Sequence, residues 1–275
     1  MPFVSAPPLL CHPSLCIVRK GWRGVCPQCG SFLDLESCSR PFAYDDTYPE
    51  RRGHFDPLIG AQKVETLKHW LSQGGLQLDR HVVCEIGFGS GFCLRYLQDN
   101  ARNAFGVEQI PANLAHALTL GVRETNLYGF HERPEVLPEA ISLWLFQDSF
   151  EHILDIRRFL QWVLRNSSRD ALLLVVAPDA GSLSRKLLGR FWPHKLADHQ
   201  FHWSRVGIRE LFEGIGFSPL LEIQPAKRVS ETVVLNHLGV KFGPRLRLVL
   251  RSLFPKFTVW FNVGEFGLLF QREHT

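Results

Sequence analysis

The chain has 275 residues, a hydrophobic fraction of 45% and a formal net charge of +4. That length suits one large domain with appendages, and so small a charge does not by itself indicate a nucleic-acid binder, so none is expected as a partner. No apolar run reaches the length of a membrane-spanning helix, and the opening MPFVSAPPLLCHPSLC lacks a basic region followed by a long apolar stretch, so a cytoplasmic location is expected.

Residues 1–50 are rich in Pro, Cys, Ser and Gly and show no sustained period. Five of the seven cysteines fall here: Cys11, Cys16, Cys26, Cys29 and Cys38. VCPQCGS has the form of a zinc knuckle, with Cys26 and Cys29 separated by two residues and Gly30 letting backbone N–H groups approach the thiolates. Tetrahedral zinc needs two more ligands, and Cys11, Cys16 and Cys38 are the candidates, with His12 also available. The other reading, reduced cysteines in a small irregular arm, stays open.

HFDPLIGAQKVETLKHWLSQGG reads as a helix capped by Asp56, with Pro57 in its first turn, Ile59, Val64, Leu67 and Leu71 on one face, and Gly74-Gly75 as its stop. Val82–Ile86 is the first strand, and Gly87, Gly89 and Gly91 follow it, with a helix-like pattern after them. Strand, glycine turn and helix is the layout that turns backbone N–H groups toward a ligand. The dinucleotide fingerprint G-x-G-x-x-G would place its third glycine at 92, where the residue is Phe92. Glu85, two residues before the first glycine, would repel a pyrophosphate and suits a ligand with a positive end.

Strands and helices then alternate. Residues 104–107 read as a strand, 111–120 as a helix stopped by Gly121, and 141–146 as a strand. Ile156, Phe159, Leu160, Val163 and Leu164 form a helical stripe, 171–177 a continuous apolar strand, and 205–213 a helix that Ser204 could cap. The alternation predicts a doubly wound α/β sheet, in which ligands sit beyond the carboxyl ends of the strands. Polar residues stand at those ends: Glu85, Glu108 with Gln109, and Gln147 with Asp148. Glu108 lies 23 residues after Glu85, where an acid accepting hydrogen bonds from a free ribose diol is expected.

Toward the C-terminus, residues 241–256 carry Lys241, Arg245, Arg247, Arg251 and Lys256 among apolar residues and no acid. This pattern suits a cap helix with solvated charges, and would also permit peripheral contact with an anionic membrane. Residues 257–273 read as a closing strand pair with its turn near Asn262–Gly264.

Four segments together resemble the class I S-adenosylmethionine-dependent methyltransferases. VCEIGFGSG resembles the family's first motif and GVEQIPANLAHALTLGV its second. ISLWLFQDSFEHILD resembles the strand-four segment of the branch that includes ubiquinone-biosynthesis enzymes and many sugar and natural-product enzymes. LLLVVAPDAGSLSRKLLGRFWPHKLADHQFHWS resembles that branch's strand five and its His-rich loop. The resemblance implies a seven-stranded, mostly parallel sheet over residues 51–225, flanked by a Cys-rich module (1–50) and a C-terminal cap with closing strands (226–275), the last strand lying antiparallel at the sheet edge. It implies that Gly87, Gly89 and Gly91 face the amino-acid part of S-adenosylmethionine, that Glu85 bonds toward its ammonium and that Glu108, followed by Gln109, holds the ribose. Gln147 and Asp148 would line the methionine end. His152, His199 and His202 are the candidates for taking a proton from a small-molecule methyl acceptor, although His152 could equally serve as a structural partner at a helix start. A nicotinamide-dependent oxidoreductase and an inactive zinc-bearing binding protein are the competing functions.

Overall fold

Asp56 begins the first long helix as its sequence requires: its side chain accepts a hydrogen bond from the Leu58 N–H at 2.8 Å, and Pro57 occupies the first turn. The helix, Pro57–Gln73, buries Leu67, Trp70 and Leu71. The computed structural model in which these contacts are seen describes residues 26, 29–33, 47–51, 53–153, 155–196, 199, 201–230, 258–262 and 264–273. Cys11, Cys16 and Cys38 and the basic segment 241–256 lie outside the described residues. Among the described residues, no helix is long and apolar enough to cross a membrane.

Eleven strands, β1 to β11 in chain order, are described. Seven of them build one sheet: β2 (Val82–Ile86), β3 (Asn103–Glu108), β4 (Leu127–Gly129), β5 (Ile141–Gln147), β6 (Ser167–Pro178), β8 (Phe217–Ile223) and β11 (Glu265–Arg272). Their order across the sheet is β4-β3-β2-β5-β6-β11-β8. β2 to β6 run parallel, and β11 is antiparallel to both of its neighbours, β6 and β8. The sheet is covered on both faces, so β2 is buried at every position and Leu143, Trp144, Leu145 and Phe146 of β5 are inaccessible. The chain starts outward from β2 to β3 and β4, then returns to β5 on the other side. That reversal creates a crevice at the carboxyl ends of β2, β3 and β5.

The mixed α/β fold expected from the alternation is the one observed. Two features differ from expectation. The last strand is not at the edge: β11 lies between β6 and β8, and β8 forms the edge. The closing pair is not a hairpin either. β10 (Thr258–Phe261) pairs with β9 (Lys227–Ser230) in a separate two-stranded sheet, while β11 enters the main sheet. The physical reason is burial: Phe266, Leu268, Leu269 and Phe270 are almost wholly inaccessible in β11, whereas Val259, Trp260 and Phe261 in β10 are about half exposed. One strand carries core surface on both faces and the other does not. A further small sheet joins β1 (Phe32–Leu33) to β7 (Phe201–His202), docking the N-terminal arm beside the loop that follows β6.

Candidate active site

The turn after β2 is shaped by three glycines in the left-handed region, with φ of +69° at Gly87, +58° at Gly89 and +86° at Gly91. They serve different ends. A Cβ at Gly87 would sit 2.5 Å from Cβ of Ser149, and one at Gly91 2.7 Å from Cβ of Ala117, so these two allow close approach of chain to chain. A Cβ at Gly89 would meet nothing within 4 Å. Gly89 is therefore the point where the backbone faces open space at the crevice.

Glu108 ends β3 and is fixed by backbone donors. Its Oε1 accepts from the N–H groups of Gln109 (2.7 Å) and Ile110 (2.9 Å), and Oε2 accepts from Gly89 (2.8 Å). An ionised carboxylate has about four acceptor positions. Three are taken by backbone N–H groups, and the Asn113 side chain also hydrogen-bonds the carboxylate. Burial raises its pKa, and these four hydrogen bonds counter only part of that.

Glu85 lies one layer deeper. It is 2% exposed, its Oε1 accepts from Gln147 Nε2 at 2.6 Å, and its Oε2 is buried with no hydrogen-bond partner. Burial pushes its pKa to about 8, opposed by Lys63 and by the Gln147 bond and reinforced by Glu108.

Asp148 follows β5 with φ of +49°, the one non-glycine residue with positive φ among the described residues. Its Oδ2 pairs with Lys227 Nζ at 2.5 Å, and its Oδ1 is buried without a partner. Asp148 joins Gly87, Gly89, Glu108, Gln109 and His152 on the wall of a cavity at these strand ends. Glu85, Gly91 and Gln147 stand behind that wall. The sequence did not point to several other wall residues: Ile110 and Asn113 beyond β3, Phe130 beyond β4, Ser149, and Tyr48 and His54 from the segment before the first long helix. Asn113 Oδ1 and Ser149 Oγ are buried without partners. These unpartnered oxygens belong to wall residues that follow β3 and β5.

The three histidines named from sequence separate. His152 is on the wall, and the His199 ring lies 4.8 Å from it, edge to face. His199 Nε2 is 3.8 Å from Glu151 Oε1. The ligand atoms of Glu151, His152 and His199 all lie within 4.8 Å of one another, a donor set able to hold a divalent cation or pass a proton. The His202 ring lies 6.1 Å from that of His199. It stacks on Phe32 at 4.3 Å, both its nitrogens are buried without a hydrogen-bond partner, and burial above all drives its pKa to about 3. Desolvation comes first, and the nearby cations Arg185 and Lys195 add to it.

Cys26 and Cys29 are both buried in a tight turn in which Gly30 N–H donates to Cys26 O (2.8 Å) and Cys26 N–H to Ser31 O (2.7 Å). Ser204 fastens this turn to the core: its N–H donates to Ser31 Oγ at 2.9 Å, and its hydroxyl bonds the carbonyl of Cys29.

A sequence model of the family described as "Methyltransferase domain" matches residues 61–222, more than half of the chain. The chain belongs to this family. It is a class I S-adenosylmethionine-dependent methyltransferase, which removes the oxidoreductase reading. Among solved structures, the Haloferax volcanii complex between the Trm112 methyltransferase activator and a methyltransferase is similar at 15% identity and a TM-score of 0.53, with 84% of this chain and 100% of that chain covered. A Bacillus halodurans methyltransferase gives 13% identity and 0.52, over 74% and 97%. An Aquifex aeolicus S-adenosylmethionine-dependent methyltransferase gives 12% and 0.50, over 84% and 100%. At such identities these likenesses concern the fold. No curated protein matches the sequence.

The buried Glu85 gives a stability test. An acid whose folded pKa is raised from 4.5 to about 8 favours folding below the unfolded value and loses that contribution as pH rises toward the folded one. Glu85→Gln, which keeps the shape of the neutral acid, should match wild type at pH 5. It should exceed wild type by about 3–5 kcal/mol above pH 8. Urea unfolding of cofactor-free protein at both pH values checks this; an equal difference at both would mean that Glu85 is ionised in the folded state.

Proposed function

We infer that this methyltransferase binds S-adenosylmethionine in the cavity between Gly89 and Asp148 and methylates a small-molecule acceptor of quinone-, sugar- or natural-product type. The observation that carries the reading is the set of unpartnered acceptor oxygens, on Asp148, Ser149 and Asn113, together with the fixed Glu108, around a glycine with open space before it. Such a wall suits a ligand that carries hydroxyls, an ammonium and a sulfonium, and it would reject phosphates.

In this reading Glu108 takes a ribose hydroxyl. Gly87 and Gly89 lie along the amino-acid end with Gly91 holding the helix behind them, and Gln109 flanks the ribose acid. Glu85, ionised by the approach of a positive charge, stabilises the ammonium from behind with Gln147 as its hydrogen-bond partner. Asp148 faces the methionine end. When bound, S-adenosylmethionine supplies an activated methyl group; the protein's part is to align it, exclude water and receive the acceptor's proton. His152 would receive that proton, with His199 and Glu151 beside it. His202 contributes through packing. Tyr48, His54 and Phe130 give the cavity flat walls, and among the described residues that line it there is no lysine or arginine.

Calorimetry with S-adenosylmethionine tests the assignment. Valine cannot adopt the conformation of Gly89 without strain and would fill the open space, and Glu108→Ala removes charge-assisted hydrogen bonds. Each variant should weaken binding about 10- to 100-fold, while His199→Ala stays within about threefold. Wild-type affinity in both Gly89→Val and Glu108→Ala would refute the reading.

The arm carries a second proposal, structural zinc on Cys26 and Cys29 with two of Cys11, Cys16 and Cys38. Its support is the buried two-thiol turn and its fastening to Ser204. Zinc there would supply folding free energy to a module too small for a core of its own. Elemental analysis of protein purified without added metal should find one zinc per chain, lost in Cys26→Ser with Cys29→Ser; zinc well below one per chain would count against it.

A further inference from the structure

Lys227 lies beyond the matched family region, in the short strand β9, yet its side chain reaches the cavity wall. Its ammonium is 2.5 Å from Asp148 Oδ2 and 2.5 Å from Glu265 Oε1. The strand is held firmly. Trp70 Nε1 donates to the carbonyl of Ala226 at 3.0 Å, and Arg228 N–H donates to Thr66 Oγ1 at 3.0 Å, so the first long helix grips the backbone on both sides of Lys227. The two acids hang from one rail: Asp148 N–H donates to Val176 O, and Glu265 pairs with Pro178 at the end of the same strand, β6. A short strand outside the family core thus spans the two acids at the end of β6.

The cost on the other side is visible. A non-glycine residue held at φ +49° persists only when its surroundings over-determine it. The backbone bond to Val176 fixes one end of Asp148 and the Lys227 ion pair fixes the other. With Oδ2 engaged, Oδ1 is left buried and without a hydrogen-bond partner. Burial alone would push the Asp148 carboxyl up, but Lys227, with His194 and His199 adding smaller positive contributions, holds it below the usual range. Glu151 and Glu265 are the neighbouring acids; Glu265 is pushed to about 7, chiefly by burial, and is itself held by Lys227, with His194 Nε2 at 3.5 Å.

We propose that Lys227 is a positioning residue of the methyl-transfer site: by bridging Asp148 and Glu265 it locks the strained Asp148 with one carboxylate oxygen committed and the other presented to the positive end of the cofactor. Lys227 does not touch the cofactor; it acts through Asp148. The proposal rests on the reading that S-adenosylmethionine occupies this cavity. It makes the segment after the family core a part of cofactor recognition rather than an appendage.

A double-mutant cycle on the full chain, read by calorimetry with S-adenosylmethionine, tests it. Asp148→Asn isolates the charge, because asparagine tolerates the left-handed conformation. Asp148→Asn and Lys227→Met should each weaken binding roughly tenfold, and the double variant should bind no more than about threefold more weakly than Asp148→Asn alone. If Lys227→Met costs the same factor with or without the Asp148 carboxylate, or costs nothing, Lys227 does not act through Asp148 and the proposal falls. Thermal melts accompany each variant, and Lys227→Gln, which keeps a hydrogen-bonding head without the charge, runs the same cycle should the methionine variant not fold. Wild-type protein that binds no S-adenosylmethionine would overturn the site reading itself, an outcome distinct from an additive cycle in protein that does bind.

Discussion

The structure turns on keeping acidic side chains in place at the buried ends of parallel strands. Glu85 at the end of β2, Glu108 at the end of β3 and Asp148 just past β5 stand side by side, where desolvation penalises negative charge. Each is handled differently. Glu108 is held by backbone N–H groups and Asn113, Asp148 pairs with a lysine, and Glu85 accepts one amide bond while burial raises its pKa. The left-handed glycines are a consequence of this constraint, because only a turn bent as sharply as Gly87 to Gly91 brings the Gly89 N–H onto Glu108 while leaving the crevice open. A ligand with hydroxyls and positive charge relieves the strain of such a wall. An anionic one would add to it.

Much of this was legible in the sequence, for reasons that are physical. A strand buried on both faces is a continuous apolar run, so β2, β5 and the inner part of β6 announced themselves, and a ligand acid at a strand end is conspicuous against that background. Asp56, Ser204 and Gly74 act locally, and the helices they bound were read correctly. What escaped was whatever depends on a neighbour. β8 is a mostly exposed edge strand without alternation, β4 has three residues, and the first four residues of β6 are polar and at least partly exposed, so none carries a period. β11 was readable as a strand, but its place between β6 and β8 follows from which faces the rest of the sheet leaves uncovered.

The cavity shows the same division. Glycines and acids could be named because their roles are tied to positions just after strands. Tyr48 arrives from a one-turn helix and His54 and Phe130 from turns whose course is set by tertiary packing, and nothing in their local sequence marks them. His199 and His202 look equivalent in HKLADHQFHWS, yet one stands beside His152 and Glu151 and the other is sealed under Phe32. Three residues of chain separate a ring beside another histidine and an acid from one stacked under a phenylalanine. Lys227 is the extreme case, a single lysine in an unpatterned stretch whose importance lies in the two carboxylates it meets.

Because the wall's chemistry is what selects the ligand, the most direct measurement is a paired titration of the wild-type protein with S-adenosylhomocysteine and with NADH, each followed by calorimetry at neutral pH. Saturable, one-to-one binding of S-adenosylhomocysteine with no heat from NADH is the predicted result. Binding of NADH, or of neither molecule, would contradict the account of the crevice as an acid-lined nucleoside site.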